Sequence, residues 1–299
     1  MRNRCFYRQA LALLLLFFLS SCQKVVLDEE EHRTTPDQGV MVTFRIASLE
    51  QIPFDAVAGS RGTDVSAACS RINLAFYQNS TKVSQINQEI SDANYGTLKA
   101  NLVPGTYKVV LVAHNGNKNA TMTNPEKITF DYKVTDTFYF CGDIKVGGDS
   151  TCNLQLRRAV AMVRFMTEDP LPASVRTMRF YYTGGSSTFD AVHGVGCVNS
   201  KQHEEFDVSP DMVGKPGTFE IFTFPRADSK SLKLQVTALG DEISILKDMT
   251  IDEVKIQRNM ITQYKGNFFE NFSPENNSSR GLTFSLYSDD EWSTSSYNF

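Results

Sequence analysis

The stretch PGTYKVVLV at residues 104–112 returns in altered form as PGTFEIFTF at residues 216–224, 112 positions later. Each copy opens on Pro-Gly and runs at once into apolar residues. Proline fixes φ near −65° and glycine accepts the positive φ that a type II turn needs next, so each reads as a turn feeding a strand. In the first copy Tyr107, Val109 and Leu111 fall on one face and Lys108, Val110 and Val112 on the other. A strand apolar on nearly both faces belongs in the middle of a sheet that is covered on both sides. A second matched pair lies upstream: RINLAFY begins at Arg71 and RTMRFYY at Arg176, 105 positions apart. Repeats at this period predict two copies of one domain topology.

From residue 40 onward the pattern is short apolar runs with alternation of period two, separated by Gly, Asn, Asp and Pro, with no long stretch of helical period. Strands are expected at residues 40–46, 71–77, 107–114, 127–134 and 137–146 in the first half. In the second half they are expected at residues 160–166, 176–182, 217–224, 231–239 and 260–269. The chain is therefore all-β, and a pair of sandwiches suits such short strands better than a barrel. The expected division is residues 40–150 and 151–270, cut near Asp149–Thr151 before NLQLRRAVAMVRFM starts the second copy, with residues 271–299 as a tail. With 299 residues, 41% of them apolar and 21% charged, both halves can bury a core. The formal charge of −4 and the scatter of Lys and Arg among carboxylates offer no basic surface for nucleic acid.

The first residues, MRNRCFYRQALALLLLFFLSSC, set the compartment. Arg2, Arg4 and Arg8 precede ten uninterrupted apolar residues at 10–19, too few to span a bilayer core of roughly 30 Å. Residues 1–21 read as an export signal. Leu19-Ser20-Ser21-Cys22 resembles the bacterial lipobox, in which the Cys22 thiol takes the diacylglycerol. Loss of the three arginines leaves 27 basic against 34 acidic residues, a net charge of about −7. Residues 22–39 follow as a polar tether whose Asp28, Glu29, Glu30 and Glu31 repel one another. This acidic run resembles the lipoprotein export signal of Bacteroidetes, which directs a protein to the outer face of the outer membrane, although its acids stand further from the cysteine than in that signal.

Taken together, the lipobox, LVPGTYKVVLVAHNG at 102–116, LQLRRAVAMVRF at 154–165, RTMRFYYTGGSSTFD at 176–190 and QRNMITQYKGNFF at 257–269 resemble the Bacteroidetes fimbrillin superfamily. The likeness is greatest to its lipid-anchored subunits of the fimbrillin-A-associated type. The resemblance implies two tandem transthyretin-like β-sandwiches, no catalytic site and no cofactor. It also implies a role in anchoring or terminating a surface fimbria, with other subunits joined by strand exchange and the outer membrane held through the lipid. An open sheet edge over an apolar groove can accept a partner's strand, which supplies backbone hydrogen bonds and alternate side chains. In the tail SRGLTFSLYSDDEW, Leu282, Phe284 and Leu286 share one face behind the polar spacer SPENNSS. That segment is either a donor strand or an edge strand of its own second domain. Pilins of the superfamily lose their first strand to an arginine-specific protease, and Arg61-Gly62 lies in a loop of that kind; a solvated arginine is the alternative.

Cys69, Cys141, Cys152 and Cys197 form an even set in an exported chain. Cys141 and Cys152 flank GDIKVGGDST, short enough to fold back and bridge them, and buried free thiols are the competing reading. His193, Cys197 and His203 match no zinc spacing. No Gly-x-Ser-x-Gly, Gly-x-Gly-x-x-Gly or His-Glu-x-x-His occurs, and GGSSTFD at residue 184 reads as a hairpin loop. Asp149-Ser150-Thr151 resembles an O-glycosylation sequon used by Bacteroidetes. A glycan-binding lipoprotein of a polysaccharide utilisation system is the alternative function, and it would need aromatic platforms that the single Trp292, out in the tail, does not supply. An enzyme is not expected.

Overall fold

The computed structural model of the chain describes residues 39–50, 64–270 and 285–287. Strands β1 (Val40–Glu50), β2 (Arg71–Gln78), β3 (Thr81–Glu89), β4 (Thr97–Leu102) and β5 (Gly105–His114) come first, with a short helix α1 (Val65–Ala68) before β2. A small hairpin, β6 (Thr121–Asn124) and β7 (Lys127–Thr129), then precedes β8 (Thr137–Val146) and β9 (Ser150–Arg158). Seven of these strands form one sheet in the order β3-β2-β5-β8-β9-β1-β4. That sheet folds back on itself at the short β8–β9 contact, Phe138 opposite Arg158 and Tyr139 opposite Arg157. Val42 and Phe44 of β1, Leu98 and Leu102 of β4, and Leu154 and Leu156 of β9 share one core with Ile72, Leu74 and Phe76 of β2 and with Val109 and Leu111 of β5. The alternation of period two puts these residues on the inner faces.

The second half repeats the plan. Its strands are β10 (Ala161–Thr167), β11 (Thr177–Thr183), β12 (Thr188–Asp190), β13 (Val195–Gly196), β14 (Gln202–Asp207), β15 (Thr218–Thr223), β16 (Ser231–Leu239), β17 (Ile245–Lys255), β18 (Ile261–Gly266) and β19 (Ser285–Tyr287). Two sheets, β15-β10-β18-β19 and β14-β11-β16-β17, enclose a core containing Phe165, Phe180, Phe219, Val236 and Phe268. In the first half β1 pairs antiparallel with β4 and parallel with β9, and β2 lies between β3 and β5. In the second, β10 pairs antiparallel with β15 and parallel with β18, and β11 lies between β14 and β16. The seven strands β1, β2, β3, β4, β5, β8 and β9 thus correspond, in order, to β10, β11, β14, β15, β16, β17 and β18.

That correspondence changes the meaning of the repeated stretch. RINLAFY and RTMRFYY are counterparts, being β2 and β11. PGTYKVVLV and PGTFEIFTF are not. The first is β5, central between β2 and β8 and buried on both faces, as expected. The second is β15, an edge strand, whose counterpart is the polar β4, TLKANL. The true counterpart of β5 is β16, SLKLQVTAL. Neither Gly105 nor Gly217 adopts the positive φ of a type II turn. Gly217 is needed for close approach instead: a Cβ there would sit 2.7 Å from the Phe219 ring. Three further expectations shift. Ser150–Arg158 pairs with β1, so the strand assigned to the second copy completes the first sheet and the chain crosses at Ala159 and Val160. The strand expected at 127–134 stops at Thr129, because Tyr132 turns the backbone with φ of +67°. Past β11, GGSSTFD is not a hairpin loop: Gly184, at φ +98°, leads into β12, which pairs with β7.

This last pairing fastens the halves together. The sheet β13-β12-β7-β6 draws two strands from each half, with Thr188 opposite Thr129 and Phe189 opposite Ile128. It lies over the outer face of β2, β5 and β8, where Ala75, Tyr77, Val110, Val112 and Tyr139 join Phe189 and Phe224 in a third apolar cluster. Phe224 stacks on Phe189 at 4.9 Å and meets Phe130 at 5.3 Å, both useful aromatic distances. Beneath them Arg158, 1% exposed, holds Asp136 with two 2.8 Å hydrogen bonds, donates to Asn259 and stacks over Phe138. A buried guanidinium needs this full set of partners. Glu204 of β14, almost fully buried, accepts from the Tyr182 hydroxyl at 2.8 Å and faces Lys133 of the first half at 3.7 Å. No buried side-chain nitrogen or oxygen among the described residues lacks a hydrogen-bond partner.

Phe224→Ala should cost about 3–5 kcal/mol and split one calorimetric unfolding transition into two, because the aromatic cluster couples two otherwise separate cores. A second test concerns charge. Burial raises the Glu204 carboxyl above its ordinary 4.5 despite Tyr182 and Lys133. The stabilising contribution of this side chain is therefore fully present below the unfolded value and is lost as pH rises through the folded one. Glu204→Gln, which keeps an acceptor for Tyr182, should be as stable as the parent or more stable at pH 7, by up to about 1 kcal/mol. Denaturant titrations at pH 7 and at pH 4 should show that advantage shrinking on acidification.

Candidate functional site

Two ends of the described residues are distinctive in their geometry. At one, β1 begins beside the start of β9, with Val42 opposite Ser150 and the Met41 N–H donating to Asp149 at 2.8 Å. Whatever precedes Gly39 joins the sandwich there. The chain runs from this pole through β9, crosses at Ala159 and Val160, and enters β10. Because β18 runs parallel to β10, both finish at the end of the second sandwich farthest from that crossing, the far pole, with Thr167 beside Gly266.

The far pole is held by local chemistry that the sequence did not announce. Asp169, in the turn after β10, accepts backbone N–H bonds from Phe268, at 3.0 Å, and from Phe269. The Thr167 hydroxyl donates to the Asp169 carbonyl at 2.9 Å and accepts from the Gly217 N–H at 2.8 Å. Phe268 is fully buried and meets Phe165 edge-on at 5.5 Å. The chain is therefore fastened up to Phe269. Beside it Leu171, Val213, Phe269 and Glu270 line an open groove of about 550 Å³. The Asp-Pro at residues 169–170 was the available signal, but its partners lie about a hundred residues away.

Fourteen residues, 271–284, separate Glu270 from β19. That short strand completes the edge of the second sandwich, antiparallel to β18, with Gln263 opposite Tyr287, Tyr264 opposite Leu286 and Lys265 opposite Ser285. The tail thus takes the edge-strand alternative. Its site is specific to the second sandwich. In the first, β8 contacts β9 and joins the layers; their counterparts β17 and β18 belong to different sheets, and the flank of β18 is taken by the tail. Tyr264 is mostly buried in this strand, and burial pushes its phenol up to about 12, so it stays neutral there.

Of the other expected site residues, Cys22, Arg61, Gly62, Leu282 and Phe284 lie outside the described residues, and Leu286 lies in β19. The strand upstream of Arg61 is β1, whose Val42 and Phe44 are fully buried between β4 and β9. Of the two readings of Cys141 and Cys152, bridge or free thiols, the structure has the free thiols. Cys141 packs against the outer cluster under the bridging sheet, whereas Cys152 packs against the inner core of the first sandwich. Their strands diverge at that end into the two layers, and burial raises both thiols. His193 pairs with Asp190 at 2.6 Å beside β12, while His203 sits on β14 opposite Tyr181 in another sheet. Among the described residues no group of three His, Cys, Asp or Glu side chains is placed to hold a metal. No helix among them is long and apolar enough to cross a membrane. Ser150 and Thr151 are exposed at the start of β9.

Several solved structures align with this chain over most of its length. A proposed polysaccharide-binding protein from Bacteroides thetaiotaomicron aligns with a TM-score of 0.50 at 10% identity, over 87% of this chain and 98% of that one. The fimbrial anchor protein Mfa2 from Porphyromonas gingivalis aligns at 0.48 and 10% identity, over 87% and 100%. A fimbrial assembly protein from Parabacteroides distasonis aligns at 0.45 and 9% identity, over 87% and 98%. No curated protein matches the sequence. In its fold the chain is similar to the first of these structures. Residues 35–298 match the model of the family of unknown function DUF6562, and the chain belongs to that family.

Proposed function

We propose that this chain is a cell-surface lipoprotein, held at the outer membrane through Cys22, that anchors or terminates a fimbria by β-strand pairing with other subunits. The observation that carries this reading is the edge of β18. It is finished by a strand tethered through fourteen residues instead of by the sandwich's own neighbouring strand. A strand linked so long a way round can be exchanged for the same strand of a neighbour with no change in the pairing, which is a low-cost route to assembly. The two poles support the reading as well. The segment bearing Cys22 joins at the start of β1 in the first sandwich, and the exchangeable edge belongs to β18 in the second. The fimbrial names of two fold neighbours agree with this role.

The work done is then backbone pairing and not chemistry on a substrate, so the chain is not an enzyme in this account. The glycan-binding alternative would use stacked aromatic platforms. Among the described residues Tyr132, 89% exposed, and Tyr181, 38% exposed, are the exposed aromatics, and they do not make a ring contact with each other. In native membranes, Cys22→Ser should release the protein from the outer membrane. A chain ending at Asn271 should stay membrane-bound yet co-isolate with less than about a tenth of the fimbrial polymer. Undiminished polymer on the truncated chain would contradict strand-mediated assembly, and polysaccharide pull-down that survives truncation would favour the alternative.

A further inference from the structure

We propose that the fold is a tension-bearing device in which a pull between its two poles loads the β1–β9 and β10–β18 ladders in shear. The inference rests on strand direction alone and does not depend on the fimbrial reading. In each sandwich the first and last of the seven common strands are parallel neighbours: β1 with β9 over eight residue pairs, and β10 with β18 over six. The start of one parallel strand and the end of its partner lie at opposite ends of the pair. The chain enters the first sandwich at the start of β1 and leaves from the end of β9; it enters the second at the start of β10 and leaves from the end of β18. Tension between Gly39 and Glu270 therefore draws the two members of each pair past one another along their length.

Inter-strand hydrogen bonds lie across the strands. A pull along the strands stretches a whole ladder together, whereas a pull across them opens one bond at a time. The load-bearing strands are also locked from their other sides. β1 has β4 along its second edge over six pairs, and β10 has β15 over six. Sliding β1 would drag the buried Val42 and Phe44 out of register with the opposite layer, and close-packed cores resist such slippage. At the exit of β18, Phe268 is seated in the core and Asp169 holds the backbone of Phe268 and Phe269. Between the sandwiches the load meets no free hinge. The Asn259 N–H donates to the Val160 carbonyl at 2.7 Å, its side chain accepts from Arg158, and Arg258 donates to the Arg158 carbonyl at 2.9 Å. The end of β9, the start of β10 and the approach to β18 are thus tied at one place.

The test is single-molecule pulling on the full exported chain with handles in two geometries. Handles at Gln38 and Glu270 pull along the strands. Handles at Gln38 and Val103 pull across them, because Val40 lies opposite Leu102 and these strand ends are adjacent. At one loading rate the first geometry should rupture at a force at least about twofold higher, since forced unfolding follows the barrier along the direction pulled and not the equilibrium stability. The equilibrium unfolding curves of the two labelled proteins should coincide. Equal forces in the two geometries, or a lower force along the strands, would overturn the proposal.

Discussion

Everything in this molecule depends on one constraint of sheet topology: in each sandwich the first and last of the seven common strands pair in parallel. Parallel neighbours cannot be joined by a tight turn. The five intervening strands of the plan must therefore be laid down elsewhere before the chain returns, and they become the rest of the sandwich. The same constraint sends the two ends of each unit to opposite poles. Placed in tandem, two such units run from the start of β1 to the end of β9 and then from the start of β10 to the end of β18.

A tandem of this kind would ordinarily flex at the connection, since neighbouring domains move relative to one another unless their interface is extensive and apolar. Here the connection is Ala159 and Val160, both fully buried, and it is flanked by a sheet to which each half contributes two strands. The charged groups in the seam do not argue for stability by themselves, because ions taken out of water are costly even when paired. Their effect is on specificity. Arg158 is satisfied only when Asp136 of the first half and Asn259 of the second stand in the same place, so a misaligned seam would leave a buried cation short of partners.

Fold class was legible in the sequence because it rests on short-range alternation. Val109 and Leu111 against Val110 and Val112 identify a central strand without knowledge of its neighbours. The duplication was legible too, but the pair of stretches that advertised it most loudly is a coincidence of turn syntax. The real counterpart of β5 is β16, where Lys233 and Gln235 alternate with Leu232 and Leu234, and no Pro-Gly marks its start. Edge strands such as β3, TKVSQINQE, and β17, ILKDMTIDEVK, were missed because an edge exposed to water need not be apolar. The bridging strands β7 and β12 are three residues each, below the length at which alternation carries a signal. The seam residues Arg158, Asp136 and Asn259 come together only through long-range pairing, and one sequence contains no record of that. Cys141 and Cys152 show the reverse: closeness along the chain left a bridge open, while the structure has two free thiols packed against different clusters.

The central claim is that the flank of β18 is a pairing site completed by a separable strand. Residue-resolved amide hydrogen exchange tests it most directly, comparing the full chain with one that ends at Glu270. Within residues 263–265, the amides that face β19 should be protected in the first protein and exchange freely in the second, while those that face β10 stay protected in both. Equal protection of every β18 amide in the two proteins would mean that the tail contributes no pairing there, and the account would not stand.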